Sequence, residues 1–450
     1  MPAAKNITLD DLKEAEKKKS SISKGIKKQK VIQTVDMSKV ACIILAGGQG
    51  TRLFPLSKNR CKPAIEFGGR YRLIDVPISN ALGSGIDTIF VLTQFLSRSL
   101  HHHILHTYPP NALTGGFVEV LTAEQRANCN RWYNGTADAV RQNLDYLLEI
   151  SAEYVLVLSG DQLYRMDFCS MLQTAITTDV DVLVATLAVD EKEARRMGIL
   201  KVNEDHDIID FHEKPSSIQA LDRLRTSPEI LHKMGFISGS EKPFLGSMGI
   251  YLFKREALIQ MLDTDLREDF GKHIIPAKVG KGKIGAFAHN GYWEDIGTVE
   301  SFYEANLALA EPQPPFDLYA ESMPIFTTAH TLPGAKIRGG HINHAIICEG
   351  SVIEANEITR SIIGQRSIIR KGTIIQNSYI MGNDLHGTPS EIGEDCLIKK
   401  AIIDKQVTLR NRVHLINKQN LTDYDSDLIY VRDGIIVVPR GVTLPEGFTF

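Results

Sequence analysis

The sequence LAGGQGTRLFPLSKNRCKP, from Leu45 to Pro63, contains the clearest indication of the fold. It begins at the end of VACIILA, an apolar run of the kind that forms a buried strand. Glycines after a strand let the backbone approach an anion closely and donate N–H groups to it. Gly47 and Gly48 are therefore candidate substrate-binding residues, although glycines alone are equally consistent with an ordinary turn.

Arg52 and Lys62 add two cations to this glycine turn, and both are candidate catalytic residues. The segment is not a P-loop, because no Gly-Lys-Ser/Thr sequence follows it. It is not a dinucleotide-binding fingerprint either, because Leu53 stands where the last glycine should be. With Thr-Arg and Lys-Pro at this spacing, the segment instead resembles the signature of the nucleotidylyltransferases.

Beyond this stretch, apolar runs alternate with helical segments up to about residue 312. TIFVLT, EYVLVLSGD and DVLVATLAV are typical of further buried strands. Helical stretches lie between them, such as 136–150, whose apolar residues share one face. This alternation predicts an α/β domain with a mostly parallel, Rossmann-type sheet covered on both faces. Ligands would then bind beyond the carboxyl ends of the strands.

Changes of composition divide the chain into four regions. Residues 1–36 are a lysine-rich tail, 37–312 a catalytic domain, and 313–335 a linker that begins in a run of prolines. Residues 336–450 repeat short Ile/Val pairs every five to seven residues, with Gly or Asn between them. Short strands at a small spacing favour a parallel β-helix, and a plain β-sandwich is the alternative.

Composition excludes several classes of protein. The chain has 450 residues and a net charge of -3, which argues against a general nucleic-acid-binding protein. No window approaches the roughly 20 apolar residues of a membrane helix, so no membrane partner is expected. Six cysteines without a CxxC pair suit a reducing compartment. Acidic residues in the tail disfavour a plastid transit peptide, so we expect a cytoplasmic protein, or a stromal one in a plant.

Two aspartates are candidate ligands for a hard cation such as Mg²⁺. Asp161, which is also a candidate catalytic residue, ends the run EYVLVLSGD, where a carboxylate of an α/β sheet points into the ligand crevice. Asp295, in NGYWEDIGTVESF, follows a second apolar-aromatic stretch and precedes a helical segment. Either residue could instead cap a helix, but two carboxylates after a phosphate-binding loop favour a metal site. Asp167 fits a helix N-cap better.

Further motifs supply candidate substrate-binding residues. Gln125 and Tyr133 offer an amide and an aromatic face to a nucleotide base, and Gly135 precedes a helix N-terminus. The others are Glu213 and Lys214 in HEKP, and Ser247 beside two glycines in GSMGIYLF. An exposed pair of neighbouring Glu and Lys residues normally has no functional consequence, which is the alternative for Glu213 and Lys214.

Four neighbouring histidines do not indicate a metal site. Only His102 and His106 share one face of a helix. We expect the whole group to lie at the surface: His101, His102, His103 and His106.

From about Val40 to the end, the motifs resemble those of the ADP-glucose pyrophosphorylases, nearer to the plant and cyanobacterial type than to the enteric type. They include LAGGxGTRLxPL, RxKPAxxFGGxYRLIDxPISN, GTADAVRQ, SGDxLYRMD, EKP, SMGIY, YWEDIGT and AIIDK. The resemblance implies a nucleotidyltransferase-like domain followed by a left-handed β-helix, assembled as a tetramer. It implies the synthesis of ADP-glucose and pyrophosphate from ATP and glucose 1-phosphate, the committed step of glycogen or starch synthesis.

The same resemblance implies a role for each candidate residue. Asp161 and Asp295 hold Mg²⁺. Arg52 and Lys62 contact the triphosphate, and Lys214 binds the phosphate of glucose 1-phosphate. The remaining candidates are Glu213 and Ser247 on the sugar, and Gln125, Tyr133 and Gly135 near the nucleotide. Because the charged residues of this set are all present, we interpret the chain as a catalytic subunit.

Four basic residues match effector-binding positions of plant-type relatives: Arg60, Arg72, Lys405 and Arg440. Four cations that meet at a domain junction would repel one another unless an anion joined them; the alternative is that they are ordinary solvated charges. The resemblance implies activation by 3-phosphoglycerate, with inorganic phosphate as its competitor and fructose 1,6-bisphosphate as the alternative. Asn59 replaces a basic residue of the enteric type, and no cysteine precedes Cys42, so enteric regulation and a redox bridge between subunits are not expected.

Three other functions stay open on sequence alone. The nucleotide donor could be UTP, dTTP or GTP instead of ATP. The β-helix could belong to an acyltransferase that uses His341, His344 or His414, although the repeat array is short. The chain could also be a regulatory subunit without activity of its own.

Overall fold

The apolar run that begins at Val40 forms an inner strand of a nine-stranded sheet in the described part of the chain. The computed structural model describes residues 35–111, 115–124, 131–236 and 241–450. The first 34 residues, which make up almost all of the predicted lysine-rich tail, lie outside the described residues. Residues Met37–Phe450 form one unit, within which all of the following contacts are made.

The strands of the N-terminal region alternate with its helices. They are β1 (Val40–Leu45), β2 (Glu66–Phe67), β3 (Tyr71–Arg72), β4 (Thr88–Thr93), β5 (Phe117–Thr122), β6 (Tyr154–Ser159), β7 (Gln162–Tyr164), β8 (Val182–Val189), β9 (Gly198–Val202), β10 (Ile208–Glu213), β11 (Phe244–Lys254), β12 (Ile284–Ala288) and β13 (Trp293–Asp295).

The large sheet has the strand order β10–β9–β11–β6–β1–β4–β5, and β8 joins β12 to β11. Strands β5, β4, β1 and β6 are parallel. Strand β11 then pairs antiparallel with β6, and β12 pairs parallel with β8. The predicted α/β fold is confirmed, since the apolar runs identified in the sequence are β1, β4, β6 and β8. The antiparallel strand β11 is an addition that apolar content alone does not indicate.

The helices cover this sheet. They are α1 (Asp75–Gly83), α2 (Arg98–Thr107), α3 (Thr136–Arg141), α4 (Leu144–Glu149), α5 (Phe168–Thr178), α6 (Glu191–Ala194), α7 (Ile218–Leu224), α8 (Pro228–Lys233), α9 (Arg255–Thr264), α10 (Ile275–Lys278) and α11 (Val299–Ala308). Within the described ranges, none of them combines the length and apolar character needed to cross a bilayer.

The single helix predicted over 136–150 is in fact two helices, α3 and α4. They are separated at Asn143, whose φ of -116° and ψ of 18° are not helical. The Asn143 side-chain amide donates to the Ala139 carbonyl at 2.8 Å and to the Tyr133 hydroxyl at 2.9 Å. Asparagine side chains compete with the backbone for such bonds, which interrupts helices. Apolar periodicity predicted the buried face but not this break.

Helix α2 carries the four histidines, and the prediction that all of them lie at the surface is wrong for His103. Its side chain is buried, and its Nε2 lies 2.5 Å from Oδ1 of the buried Asp75. The hydroxyl of Tyr108 donates to the same oxygen at 2.8 Å. A buried carboxylate needs such partners, so His103 has a structural role. His102 and His106 are exposed, as expected.

The C-terminal region consists of short strands. They are β14 (Lys336–Ile337), β15 (His341–Ile347), β16 (Val352–Ile353), β17 (Glu357–Ile363), β18 (Ile368–Ile369), β19 (Ile374–Ile380), β20 (Glu391–Ile392), β21 (Leu397–Ile403), β22 (Thr408–Leu409), β23 (His414–Leu415), β24 (Tyr424–Asp425), β25 (Tyr430–Arg432), β26 (Ile435–Val438) and β27 (Thr443–Leu444).

These strands stack in parallel ladders. One ladder runs β14–β16–β18–β20–β22–β27, and a second contains β15–β17–β19–β21–β26. Their registers align buried isoleucines on successive coils, so that Ile358 pairs with Ile375 and Ile375 with Ile398. The predicted parallel β-helix is therefore confirmed in place of a β-sandwich.

The β-helix packs against the N-terminal region through a shared apolar core. Tyr379 is fully buried there; its hydroxyl accepts from the Gly69 N–H at 3.1 Å and donates to the Glu66 carbonyl at 3.2 Å. Gly69 has a φ of 78°, and an added Cβ would lie 2.7 Å from Sγ of the buried Cys348. The junction is thus closely packed, and it fixes the charged residues described below.

Candidate active site

A cleft of about 940 Å³ opens beyond the carboxyl ends of β1, β4 and β6. The candidate substrate and metal residues that the structure describes all line it: Gly47, Gly48, Arg52, Lys62, Tyr133, Gly135, Asp161, Glu213, Lys214, Ser247 and Asp295. Gln125, the remaining candidate, lies outside the described residues. The chain thus brings together residues from many separate motifs, at the edge of the sheet where an α/β fold binds ligands.

The glycine loop after β1 is held by its neighbours but remains open to the cleft. Gly50 has a φ of 62°, which favours glycine, and its carbonyl accepts from the Ser57 hydroxyl at 2.9 Å. In contrast, a Cβ added to Gly48 would meet no heavy atom within 4 Å, and one added to Gly47 would make only ordinary contact with Gln94. Internal packing therefore does not require glycine at these two positions, which favours the close approach of a ligand.

The two candidate metal ligands are brought together by a two-stranded ladder. β13 pairs antiparallel with β7, so that Asp295 lies opposite Gln162, the residue after Asp161. The Lys62 ammonium forms an ion pair with Asp161, and its Nζ lies 3.6 Å from Oδ1 of Asp295. The Ser159 hydroxyl donates to the other Asp161 oxygen. One cation therefore faces two carboxylates that lie far apart in sequence.

Burial and charge change the pKa values of this carboxylate pair in opposite directions. Burial raises the pKa of Asp161, but Lys62 and the hydrogen bonds from Lys62 and Ser159 outweigh it, so the pKa is lowered. Burial also raises the pKa of Asp295; Asp161 adds to this, Lys62 and Arg52 oppose it, and the pKa stays raised. A further cation beside the pair would favour the ionised form of both carboxyls.

The helix-cap alternative does not hold for either aspartate. Asp161 is followed by β7 instead of the helix that the sequence suggested. The helix after Asp295 is capped by Thr298, whose hydroxyl accepts from the Ser301 N–H. Asp167, which the sequence analysis assigned as an N-cap, does cap α5 by accepting from the Cys169 N–H at 2.9 Å.

Gly135 and Tyr133 line the cleft, but internal packing accounts for the presence of a glycine and a tyrosine at these positions. A Cβ on Gly135 would lie 2.4 Å from the Glu268 carbonyl oxygen, so the close approach there is to the chain's own backbone. That carbonyl also accepts from the Ala137 and Asp138 N–H groups at the start of α3. The Tyr133 ring is buried and belongs to the core of the sheet. This helix N-terminus is therefore not open to a phosphate.

Glu213 and Lys214 lie at the end of β10, four positions from β1 in the order of the sheet. Lys214 has a φ of 49°, which is strained for a residue other than glycine, and its N–H donates to the Met197 carbonyl at 3.0 Å. Its Nζ lies 3.4 Å from Oε1 of Glu213 and is largely exposed. Ser247 lines the cleft where the β11–β8 register shifts, and its hydroxyl accepts from the Gly249 N–H at 3.3 Å.

The cleft also contains residues that sequence reasoning did not single out as site residues. Gln94 joins the glycine loop to the opposite wall, since its amide donates to the Tyr133 carbonyl at 3.1 Å and accepts from the Tyr133 N–H at 2.8 Å. Arg196 and Glu294 line the cleft as well. Gln94 directly follows the apolar run TIFVLT, which forms β4, so its strand-end position was an available signal. Arg196 follows a short helix and had no such signal.

The four predicted effector residues do not line the cleft. Arg60 is buried at the junction with the β-helix, where its Nε lies 3.3 Å from Oε2 of Glu66 and its Nη2 lies 2.9 Å from Oδ1 of Asp404. The Lys405 ammonium lies 3.3 Å from Oε1 of Glu66. Arg72 donates instead to the Ser99 carbonyl, at 2.7 Å.

Contrary to the expectation from sequence, these cations do not need an external anion, because the chain supplies carboxylates of its own. Asp384 forms an ion pair with Arg440 and lies 3.8 Å from the Lys405 ammonium. Burial raises the pKa of Glu66, but Lys405 together with the three arginines, Arg60, Arg72 and Arg440, holds it well below its usual value. Arg60 and Lys405 contact this buried carboxylate, and the charges of Arg72 and Arg440 act on it without a direct ion pair.

Comparison with known protein families agrees with the fold and the cleft. Residues 41–312 match the model of the nucleotidyl transferase family, and residues 330–449 match that of the GLGC left-handed parallel β-helix domain. The second match gives the β-helix its left-handed sense. The two domains together have the architecture of ADP-glucose pyrophosphorylase-like proteins. Since the first match spans more than half of the chain, this protein belongs to the nucleotidyl transferase family.

Proposed function

We propose that this chain is a glucose-1-phosphate adenylyltransferase, which makes ADP-glucose and pyrophosphate from ATP and glucose 1-phosphate. The observation that carries the proposal is the cleft, which joins Lys62, Asp161 and Asp295 to the glycine loop at one end and to Lys214 at the other. The choice of the adenylyl group rests on the sequence motifs and on the GLGC β-helix domain that follows the transferase domain.

The reaction is an in-line displacement. A phosphate oxygen of glucose 1-phosphate forms a bond to the α-phosphorus of ATP, and the bond from that phosphorus to the bridging oxygen breaks. The electron pair leaves with pyrophosphate. The attacking oxygen is already anionic at neutral pH, so no general base is needed and no covalent enzyme intermediate forms. The protein's task is to neutralise charge and align the two substrates.

The residues at each end of the cleft contribute to this charge neutralisation and alignment. The N–H groups after Gly47 and the cations of Arg52 and Lys62 neutralise the phosphates of the nucleotide. Lys214 holds the phosphate of the sugar, while Glu213 and Ser247 lie beside it to bind sugar hydroxyls. Holding both reactants in line can supply several kcal/mol of the barrier reduction.

The carboxylates Asp161 and Asp295 fit Mg²⁺, which the family generally uses. They are hard oxygen ligands at adjacent strand positions, and one lysine faces both, so negative charge remains to be matched. No group of three or more side chains suited to a metal occurs in the described ranges, so phosphates and water would complete the shell. Bound there, Mg²⁺ would withdraw charge from the phosphates of ATP.

The test is pyrophosphate release from ATP, UTP, dTTP and GTP, each with glucose 1-phosphate and Mg²⁺. We expect kcat/KM for ATP to exceed the others by at least about tenfold, the discrimination that a modest difference in pocket contacts provides. Faster turnover of another nucleotide would identify that nucleotide as the donor. The absence of pyrophosphate release from all four nucleotides would overturn the proposal. Consumption of acetyl-CoA instead would indicate an acyltransferase.

Regulation, assembly and location complete the proposal. The sequence resemblance supports an anionic effector at the junction cations Arg60, Arg72, Lys405 and Arg440, with 3-phosphoglycerate first and inorganic phosphate as its competitor. Such an effector would have to displace carboxylates that already pair with these cations, such as Asp384. The assembly would be a tetramer of identical or related subunits in the cytoplasm. Light scattering of the purified chain measures the assembly, and a monomer that is fully active and regulated would contradict it.

A further inference from the structure

Two adjacent arginines of the cleft differ in what holds them. Arg195 is fixed by its surroundings, because its guanidinium donates to the Ser216 carbonyl at 2.8 Å and to the Glu191 carboxylate at 2.7 Å. Arg196 lines the same cleft and is exposed, and its guanidinium forms no ion pair with a carboxylate of the described residues. Its positive charge is therefore available to a ligand in the cleft.

The backbone places Arg196 beside the proposed sugar-phosphate end of the cleft. The next residue, Met197, accepts the N–H of Lys214 through its carbonyl, and Gly198 then pairs with Glu213 in the β9–β10 ladder. Arg196 and Lys214 are thus on adjoining segments of one wall. The glycine loop with Arg52 lies at the other end, after β1.

Arg196 also shares the cleft with the strand that carries the proposed metal ligand. Its side chain lines the same cleft as Lys214 and as Glu294 and Asp295 of β13. In the proposed reaction, the phosphate held by Lys214 must reach the α-phosphorus of a nucleotide bound beside these carboxylates, so a cation of this wall can contact it.

We propose that Arg196 and Lys214 form a two-cation clamp on the phosphate of the acceptor sugar phosphate. This rests on the proposed function, and it names a second phosphate-binding residue of this chain. A phosphate dianion is matched better by two cations than by the single Lys214, which already lies near Glu213. The planar guanidinium of an arginine can donate two parallel hydrogen bonds to such a group, which fixes its orientation as well.

The clamp is tested with the variants R196A and R196K in the full-length chain, with K192A as the matched control. Lys192 is an exposed cation four residues earlier that does not line the cleft. The readouts are the KM values for glucose 1-phosphate and ATP, and direct calorimetric binding of glucose 1-phosphate without nucleotide. Glucose is the uncharged comparison.

We expect R196A to weaken glucose 1-phosphate about tenfold in both KM and binding, the effect of losing one charge-assisted hydrogen bond. KM for ATP should stay within about twofold, R196K should recover part of the loss, and K192A should match wild type. A change of less than twofold in R196A, or an equal loss for ATP, would overturn the clamp.

Failure of the clamp is distinguishable from failure of the proposed function. If wild type binds glucose 1-phosphate but does not turn over with ATP, the proposed function is wrong while the binding comparison still decides the role of Arg196. If wild type binds glucose 1-phosphate no better than glucose, the clamp is wrong as well.

Discussion

The cleft and the domain junction both contain several basic side chains, but the two regions differ in whether those side chains pair with carboxylates. Among the described residues, neither Arg52 nor Arg196 of the cleft forms an ion pair with a carboxylate. At the junction, Arg60 and Lys405 both pair with Glu66, and Arg440 pairs with Asp384. Cations without partners in a solvated cleft are ready for an anionic substrate. Cations matched to buried carboxylates hold the structure together.

The difference follows from the cost of burying charge. Arg60 and Glu66 are almost completely buried, and an unpaired ion there would cost several kcal/mol. Arg52 and Arg196 of the cleft are exposed to water until a ligand displaces it, so they need no internal partner. The buried Lys62 of the same cleft, in contrast, pairs with a carboxylate. A junction cation can therefore bind an effector only by exchanging one anion for another, whereas these two cleft arginines would gain a partner that they lacked.

The largest effect is expected from Asp161→Asn, which keeps the shape of the side chain and removes its charge. We expect kcat to fall at least about 10²-fold, the scale of losing one key electrostatic contact, with the fold intact. The matched control is Asp167→Asn, which alters only the cap of α5 and should keep near-normal turnover. Near-normal turnover of Asp161→Asn in saturating Mg²⁺ would remove Asp161 from the site.

Glu66→Gln likewise removes one carboxylate charge, this time at the junction, and its effect is measured as a loss of stability. It removes a buried partner that Arg60 and Lys405 share and leaves them with Asp404 and Asp384, so we expect the free energy of unfolding to fall by about 3 kcal/mol at neutral pH. Because the pKa of Glu66 is lowered in the folded state, its contribution is complete above its usual value of 4.5 and is lost as the pH falls below it.

Denaturant unfolding across pH measures this, with Glu153→Gln as the control. Glu153 forms an exposed pair with Lys39, which should contribute less than about 1 kcal/mol. A gap between wild type and Glu66→Gln that widens in acid would contradict the assigned direction of the pKa shift.

Lys214→Ala should have a smaller and selective effect. It removes binding that the ground and transition states share, so we expect KM for glucose 1-phosphate to rise about tenfold while KM for ATP barely moves. Initial rates with each substrate varied in turn provide the measurement. An equal loss for both substrates would mean that Lys214, with its strained backbone, has only a structural role.

The smallest effects are expected at the junction surface. Lys405→Ala and Arg440→Ala should each shift half-activation by 3-phosphoglycerate to several-fold higher concentration and leave unactivated turnover alone, since such couplings are worth about 1–3 kcal/mol. Asp384→Asn should shift half-activation to a lower effector concentration, because Asp384 lies close to both Lys405 and Arg440 and would compete with the effector for them. Variants that respond like wild type, or a wild type that responds to no phosphorylated metabolite, would remove the effector site.

Much of the fold was predictable because its signals are local. Strands buried on both faces must be continuously apolar, so β1, β4, β6 and β8 were visible as runs. The β-helix repeats short Ile/Val pairs, so its ladders were visible as a period. The glycine loop and Asp161 each follow a strand, and the geometry of an α/β sheet places such residues at one edge.

The remaining features depend on pairing between distant segments. The β7–β13 register that puts Asp295 beside Asp161 has no local signal. The burial of His103 depends on Asp75 and Tyr108, and no helix periodicity contains those partners. At the junction the four cations were evident, but the pairs of Lys405 with Glu66 and of Arg60 with Asp404 form only when the β-helix docks.

The most direct test of the contrast is pyrophosphate release from ATP, with and without glucose 1-phosphate, in wild type, Asp161→Asn and Lys405→Ala side by side. Wild type should release pyrophosphate only when the sugar phosphate is present, Asp161→Asn should lose at least about 10²-fold, and unactivated Lys405→Ala should match wild type. Release without glucose 1-phosphate, or a loss in Lys405→Ala as large as that in Asp161→Asn, would contradict the assignment of the chemistry to the cleft.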